Sequence, residues 1–333
     1  MVSVGGVYGS ACLGRCGRFP MDSGLGARYN LWVQQSAHPE NSSLPKFATY
    51  FFTASLNRKN PNAQISVVDV GNHVSEGLWK AFNELRGDAS VKLGISELEL
   101  GISDIKIIGI RIDGHRVFNA EGFTGKAMQI TYLMTLAPKG ELVSLRGFFD
   151  SGTVRAFMAA EATRAPNAIY AEQGNTSTSI FTVMPHKTAH VTDSPWGGDA
   201  SALALGQILA SDDMSANKIL YSRFLAGAVS AAVLRKMARA FFSSFQIFIN
   251  SISAVLINSK IAVAGKAPAI LFSGHDLPML AYERNFAFGG KRAKIRQISV
   301  PDQDLSDFIS ARESAHHTLN EIARLRIGWL INK

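Results

Sequence analysis

The chain has 333 residues, 47% hydrophobic and only 18% charged, and its 34 Lys and Arg against 26 Asp and Glu leave a net charge of +8. Disorder needs low hydrophobicity and high charge, so it is excluded; two Cys cannot staple a disulfide scaffold, and 29 Gly without a triplet period are not collagen. A globular protein with a large core remains, basic but sparsely charged, and we read its shortage of charge as surface covered by neighbouring subunits.

Residues 1–45 are rich in Gly and Ser and read as an irregular arm whose only basic side chains are Arg15, Arg18 and Arg28. The N-terminus lacks a basic stretch followed by a solid apolar run, so the expected setting is the cytoplasm or a virion, without secretion. Cys12 and Cys16 have the spacing of half a zinc site. No second Cys pair completes it, nothing in the spacing points to His38 or His73, and no metal or cofactor is expected.

Residues 46–191 read as a β-rich domain, with strands at 47–55, 64–70, 104–112, 127–136 and 141–149. A helix at 74–86 places Leu78, Phe82 and Leu85 on one face, with Gly87 as its stop. Asp113-Gly114 is a turn dipeptide, and Ala137-Pro138-Lys139-Gly140 reads as a hairpin turn into 141–149. Residues 151–165 suit a second helix, and the Thr-, Ser- and Asn-rich stretch 172–200 reads as a long surface connection.

Residues 192–333 read as a mainly helical domain, with helices at 201–211 and about 215–259, the latter bent or broken near Gly227 or Ser243-Ser244. Within it, 240–259 is uncharged and about long enough to span a bilayer. Its Phe241, Phe245, Phe248, Ile252 and Leu256 recur at helical spacing beside a polar stripe of Ser243, Gln246, Asn250 and Ser253, so a buried helix is expected rather than a membrane span. Strand character returns at 283–299, and an amphipathic helix at 303–327 closes the chain. The fold class is therefore α+β: a β-rich N-terminal and central part followed by a mainly helical C-terminal half, with an irregular arm in front.

The most informative stretch is Arg284 to Arg296. Gly289-Gly290 between two short runs signals a hairpin, because both turn residues can take positive φ. Strand alternation would set Arg292, Lys294 and Arg296 on one face beside Lys291, at a repeat of about 6.6 Å that suits successive phosphates of a single strand. Phe286 and Phe288 would share a face on the partner strand, either stacking bases or lying in the core. Arg235 and Arg239, one helical turn apart, form a second basic stripe that suits a nucleic-acid backbone or a solvated helix face. Gly274-His275-Asp276 before Pro278 reads as a turn, and His316-His317 lacks a metal partner at helical spacing. No phosphate loop, dinucleotide fingerprint, nucleophile elbow or zinc-protease helix is present.

These features favour a self-assembling viral capsid, coat or nucleocapsid subunit. It would pack against copies of itself or other capsid or ribonucleoprotein subunits and contact nucleic acid, RNA first, without reading sequence. A non-viral ribonucleoprotein subunit is the alternative. An enzyme comes third, and no catalytic residue is assigned.

Overall fold

The computed structural model describes residues 16–18, 30–32, 46–259, 268–274, 277–278, 281–282, 284–288 and 291–331. A mixed sheet occupies the N-terminal and central part, and helices dominate the C-terminal end. In the arm, strands β1 (Cys16–Arg18) and β2 (Asn30–Trp32) pair antiparallel. His38, His275, Asp276 and Cys12 lie outside the described residues.

After β3 (Ala48–Asn57) comes helix α1 (Val67–Leu93). The β-branched run at 64–70, expected as a strand, instead leads into this helix, because Ser66 and Asp69 form a capping box worth about 1 kcal/mol. Gly87 lies inside the helix, and the stop is Gly94, at φ +68. The glycine that positions α1 is Gly77, where a Cβ would stand 2.5 Å from the Tyr132 hydroxyl and 3.3 Å from the Ala54 Cβ. The helix thus rests its backbone close against the sheet, burying Val70, Val74, Leu78, Ala81 and Leu85.

Strand β4 (Leu100–Ile112) turns at Asp113-Gly114, both at positive φ, into β5 (His115–Val117), and then β6 (Ala127–Pro138) pairs with β4 and β3. The expected hairpin from Pro138 into a strand at 141–149 does not form. A short 3-10 turn follows β6, and Leu142, Leu145 and Phe149 are buried at helical rather than alternating spacing. Helix α2 (Ser151–Thr163) then leads to β7 (Ala168–Gln173), β8 (Thr178–Met184) and β9 (Lys187–Ser194). The stretch 172–200 is thus two core strands and a helix start, not a surface connection, since its β-branched Thr residues suit a half-buried sheet.

Helices α3 (Gly198–Gly206), α4 (Met214–Leu225) and α5 (Ala231–Asn258) follow, the break between α4 and α5 falling at Gly227, at φ +67, while Ser243 and Ser244 lie within α5. The chain continues through β10 (Ala269–Ser273), the antiparallel pair β11 (Phe286–Phe288) and β12 (Lys291–Ala293), then β13 (Ile295–Gln297). The closing amphipathic stretch is two helices, α6 (Asp302–Ala315) and α7 (His317–Ile331), parted at His316.

Nine strands form one sheet in the order β13-β10-β7-β8-β9-β3-β6-β4-β5. The β10 strand runs parallel to both β7 and β13, and the other pairings are antiparallel. Register places Tyr50, Ala189, Thr182 and Ile169 on one face, which α1, α7 and the α3–α5 group cover. Phe51, Thr188, Val183 and Ala168 lie on the other, under α2 and α6.

α5 is long and apolar enough to cross a membrane by length and composition. Its Phe241, Phe245, Phe248, Ile252 and Leu256 are buried in the core, while Ser243, Gln246 and Asn250 are exposed. Trp196 is fully buried at the centre of this packing, with its ring centroid 4.8 Å from Phe245 and 5.4 Å from Phe248. Each such buried aromatic contributes about 1.5–3 kcal/mol.

Candidate docking face

The face is built from the start of α5. Burial of Met237, Phe241 and Phe245 fixes which way this helix rolls, and that leaves Arg235, Lys236 and Arg239 exposed on its outer side. The first turn of α5 contains no acidic residue. Cations near a helix N-terminus meet the positive end of its dipole, at a cost of about 0.3–1 kcal/mol each at low salt, so this end presents strong positive potential.

The β11–β12 hairpin lies against the same helix. Phe286 is buried, with its ring 5.5 Å from Phe245 and 6.3 Å from Phe242. Arg284 crosses over this contact, its guanidinium 4.8 Å from the Phe242 ring and 5.9 Å from the Phe286 ring, in the range of cation–π attraction. Phe286 therefore serves the packing alternative of the two weighed for it. Phe288 and Lys291 pair in the backbone register of β11 and β12, while Gly289, Gly290 and the side chains of Phe288 and Lys291 lie outside the described residues.

Arg292, Lys294 and Arg296 are exposed, yet they do not share a single strand. β12 pairs with β11, Lys294 lies between strands, and β13 joins the large sheet beside β10. A continuous strand from 291 to 297 would leave β10 without its outer partner. Pairing Ile270 with Ile295 buries both side chains, and the chain divides there. β13 is the sheet's outer strand on this side, and basic side chains on such an edge also discourage strand addition.

Arg235, Lys236 and Arg239 on α5 and Arg284 over its aromatic flank thus sit together, and Arg292 and Lys294 follow on the attached hairpin and its exit. Arg296 faces the other side of the sheet, because it pairs with Leu271 while Ile295 beside it packs on the α5 side. No Asp or Glu occurs in 231–258 or 284–297. Among the described residues, none of these seven cations joins an ion pair. Sequence spacing found both basic groups but left out Arg284, whose position depends on Phe286 docking on Phe242.

A second polar focus lies at the C-terminal ends of the parallel strands β7 and β10. Gln173 is 2% exposed, and neither its amide oxygen nor its nitrogen has a partner among the described residues. Next to it, Glu172 accepts from Arg155 at 2.6 Å, and Arg155 also binds Asp302. The Gly174 and Asn175 carbonyls accept from the Gly198 and Asp199 amides, capping α3 with backbone alone. Gly197 permits this approach, since a Cβ there would stand 2.4 Å from the Asn175 oxygen.

No protein-family model matches this sequence, and no curated protein matches it. Among solved structures, a PilM-PilN type IV pilus biogenesis complex aligns with 83% of this chain and 76% of its own, at 12% identity and a TM-score of 0.39. The ethanolamine utilization protein EutJ from Carboxydothermus hydrogenoformans aligns over 55% of this chain and 59% of its own, at 18% identity and 0.32. For a glycerol dehydratase reactivase the shares are 58% and 41%, at 14% identity and 0.26.

These neighbours overturn the expected viral capsid, coat or nucleocapsid subunit, for none is a capsid or coat protein. The fold also supplies another source for the composition behind that expectation. A nine-stranded sheet with helices on both faces buries much of the chain within one protomer. Its sparse charge follows from that interior without a shell of identical neighbours.

Proposed function

We propose that this chain is a docking subunit of a protein assembly, acting by binding rather than catalysis, and that its basic face receives an acidic protein surface. One observation carries the reading: six exposed cations, Arg235, Lys236 and Arg239 on α5, Arg284 over its aromatic flank, and Arg292 and Lys294 on the attached hairpin and its exit, come from segments 231–258 and 284–294 that contain no acidic residue. Desolvating such a face is favourable only against negative charge. The prominent buried ionisable groups elsewhere are engaged in structural pairs, Arg155 with Glu172 and Lys106 with Glu313.

Nucleic acid, the partner expected from sequence, suits the face less well. The cations are spread over a helix and the hairpin attached to it rather than a linear track, and Phe286 is buried rather than offered for stacking. Fluorescence anisotropy with labelled oligoglutamate and labelled oligothymidylate decides between the two. Oligoglutamate binding that weakens in R235Q/R239Q and in R292Q/K294Q supports the proposal. Preferential oligothymidylate binding, with a salt slope that drops by about one per cation removed, assigns the face to nucleic acid. Binding of neither polymer at low salt rejects a docking role for this face.

A second reading draws on Gln173. Open α/β sheets hold ligands beyond the C-terminal ends of their parallel strands, and a buried amide there without a partner among the described residues suits a phosphate-bearing small molecule such as a nucleotide. The first amides of α3 are already taken by Gly174 and Asn175, so the Gln173 side chain and the loop at 174–177 would have to hold it. Titration with a fluorescent ATP analogue tests this; saturable binding lost in Gln173→Met supports the second reading, and no binding removes it.

A further inference from the structure

On the opposite face of the sheet, beside the C-terminal end of α2, lies a cleft of about 600 Å³. Its floor is a polar cross-strand row. Arg116, Arg111 and Gln129 are successive neighbours across β5, β4 and β6, and the next row contains Gly109, Thr131 and Thr53. The Thr53 and Thr131 hydroxyls hydrogen-bond at 3.0 Å. The Arg116 guanidinium reaches over Gly109, 4.0 Å from where a Cβ would stand. One wall is apolar, with Phe157 stacked on Phe51 at 4.0 Å between centroids and Ile108, Val183 and Met184 close by. Across the mouth stands Arg164, the left-handed cap of α2 at φ +51.

The plainest account is a solvated sheet face with scattered arginines, and Arg164 alone is explained as a cation at a helix C-terminus. That account leaves Arg111 and Arg116 unexplained. They are paired directly across β4 and β5, an arrangement that destabilises a strand pair when both members carry the same charge. Both are exposed, and neither joins an ion pair among the described residues. Among the described residues, Glu161 is the single carboxylate lining the cleft, against three arginines.

We infer that this cleft binds a small amphipathic anion, a carboxylate, sulfonate or phosphate ester with a compact apolar body. Arg111 and Arg116 take the anionic group, Gln129 and Thr131 supply further hydrogen bonds, and Phe157 with Met184 covers the apolar part. The volume falls in the range of small-molecule sites, and the mixture of an apolar wall with a few converging polar groups is their usual composition. The cleft lies on the other face of the sheet from α5, so it does not depend on the docking role.

The test uses 8-anilinonaphthalene-1-sulfonate as the anionic probe and neutral N-phenyl-1-naphthylamine as its control, both titrated into the full chain by fluorescence. We expect one saturable site for the sulfonate, weakened by added salt and weakened about tenfold to a hundredfold in R111Q/R116Q. R235Q/R239Q, on α5 at the other face, should bind as the parent does. Arg164→Gln, tested separately, should weaken binding by a smaller factor and keeps the test open if the double variant fails to unfold cooperatively. Sulfonate affinity within about twofold of the parent in a folded R111Q/R116Q variant, or in R164Q if the double variant does not fold, overturns the inference. Equal affinity for the neutral probe overturns it as well.

Discussion

Replacing Glu313 with Leu should destabilise the protein strongly at neutral pH, and the deficit should shrink as pH rises. Lys106 lies mid-way along β4 with its side chain fully buried, and its ammonium is 2.6 Å from Glu313 on α6. Burial pushes the Lys106 pKa below its ordinary value of 10.5, while Glu313 and then Asp104 hold it up. Asp104 is itself buried, and burial raises its pKa, so it is a poor substitute for Glu313. Removing one partner of a buried pair costs about 3–5 kcal/mol, because a charge is left in the interior, whereas replacing both with apolar groups is often close to neutral. Urea unfolding of E313L at pH 7 should show that deficit, and K106M/E313L should recover most of it, the remainder reflecting the one-third exposed Arg324, which also donates to Glu313 at 2.8 Å. The pH dependence follows from linkage. Between the depressed folded pKa and the ordinary value, the unfolded chain binds more protons than the folded one, so stability rises with pH. Loss of Glu313 lowers the folded pKa further and extends that window downward, so E313L should regain stability relative to the parent as pH rises from 7 toward the parent's depressed folded pKa. A deficit below about 1 kcal/mol, a deficit that stays constant with pH, or a double variant weaker than the single one refutes the reasoning.

Asn320→Leu should cost about 1–3 kcal/mol, because its amide oxygen accepts from the buried Ile107 amide at 2.6 Å, beside the irregularity in β4; urea unfolding checks this, and no loss would mean that another acceptor takes over. Phe245→Ala should cost about 3–5 kcal/mol from the centre of the Trp196, Phe241, Phe248 and Phe286 cluster. Faster hydrogen exchange in β11 should accompany it, since Phe286 rests on that ring. Gln173→Met should stabilise the chain by about 1 kcal/mol, measured by the same unfolding, because it removes a buried amide that has no partner among the described residues.

Local patterns carried a definite share of this structure. The spacing of Phe241, Phe245, Phe248, Ile252 and Leu256 marked the buried face of α5, and Asp113-Gly114 marked the β4–β5 turn. Both depend on short-range geometry, a helical period and a pair of residues tolerant of positive φ, so neighbours in sequence suffice to specify them. The run at 64–70 misled because β-branched residues suit a strand wherever no cap intervenes, and the Ser66–Asp69 box is what intervenes. The Thr-rich strands β8 and β9 were missed because polar composition resembles a loop until neighbouring strands bury it.

The division of residues 291–297 was decided elsewhere, by β10. Its apolar Ile270 offers Ile295 a buried partner across a long sequence separation, and that gain breaks the strand that would have aligned Arg292, Lys294 and Arg296. The Arg111–Arg116 cleft likewise exists only once β4, β5 and β6 are in register beside α2. Composition by itself determined that the chain is globular, basic and sparsely charged. Where those charges stand, and that their scarcity belongs to the protomer's own interior, was decided by the tertiary structure, because burial and cross-strand register depend on residues far apart in the chain.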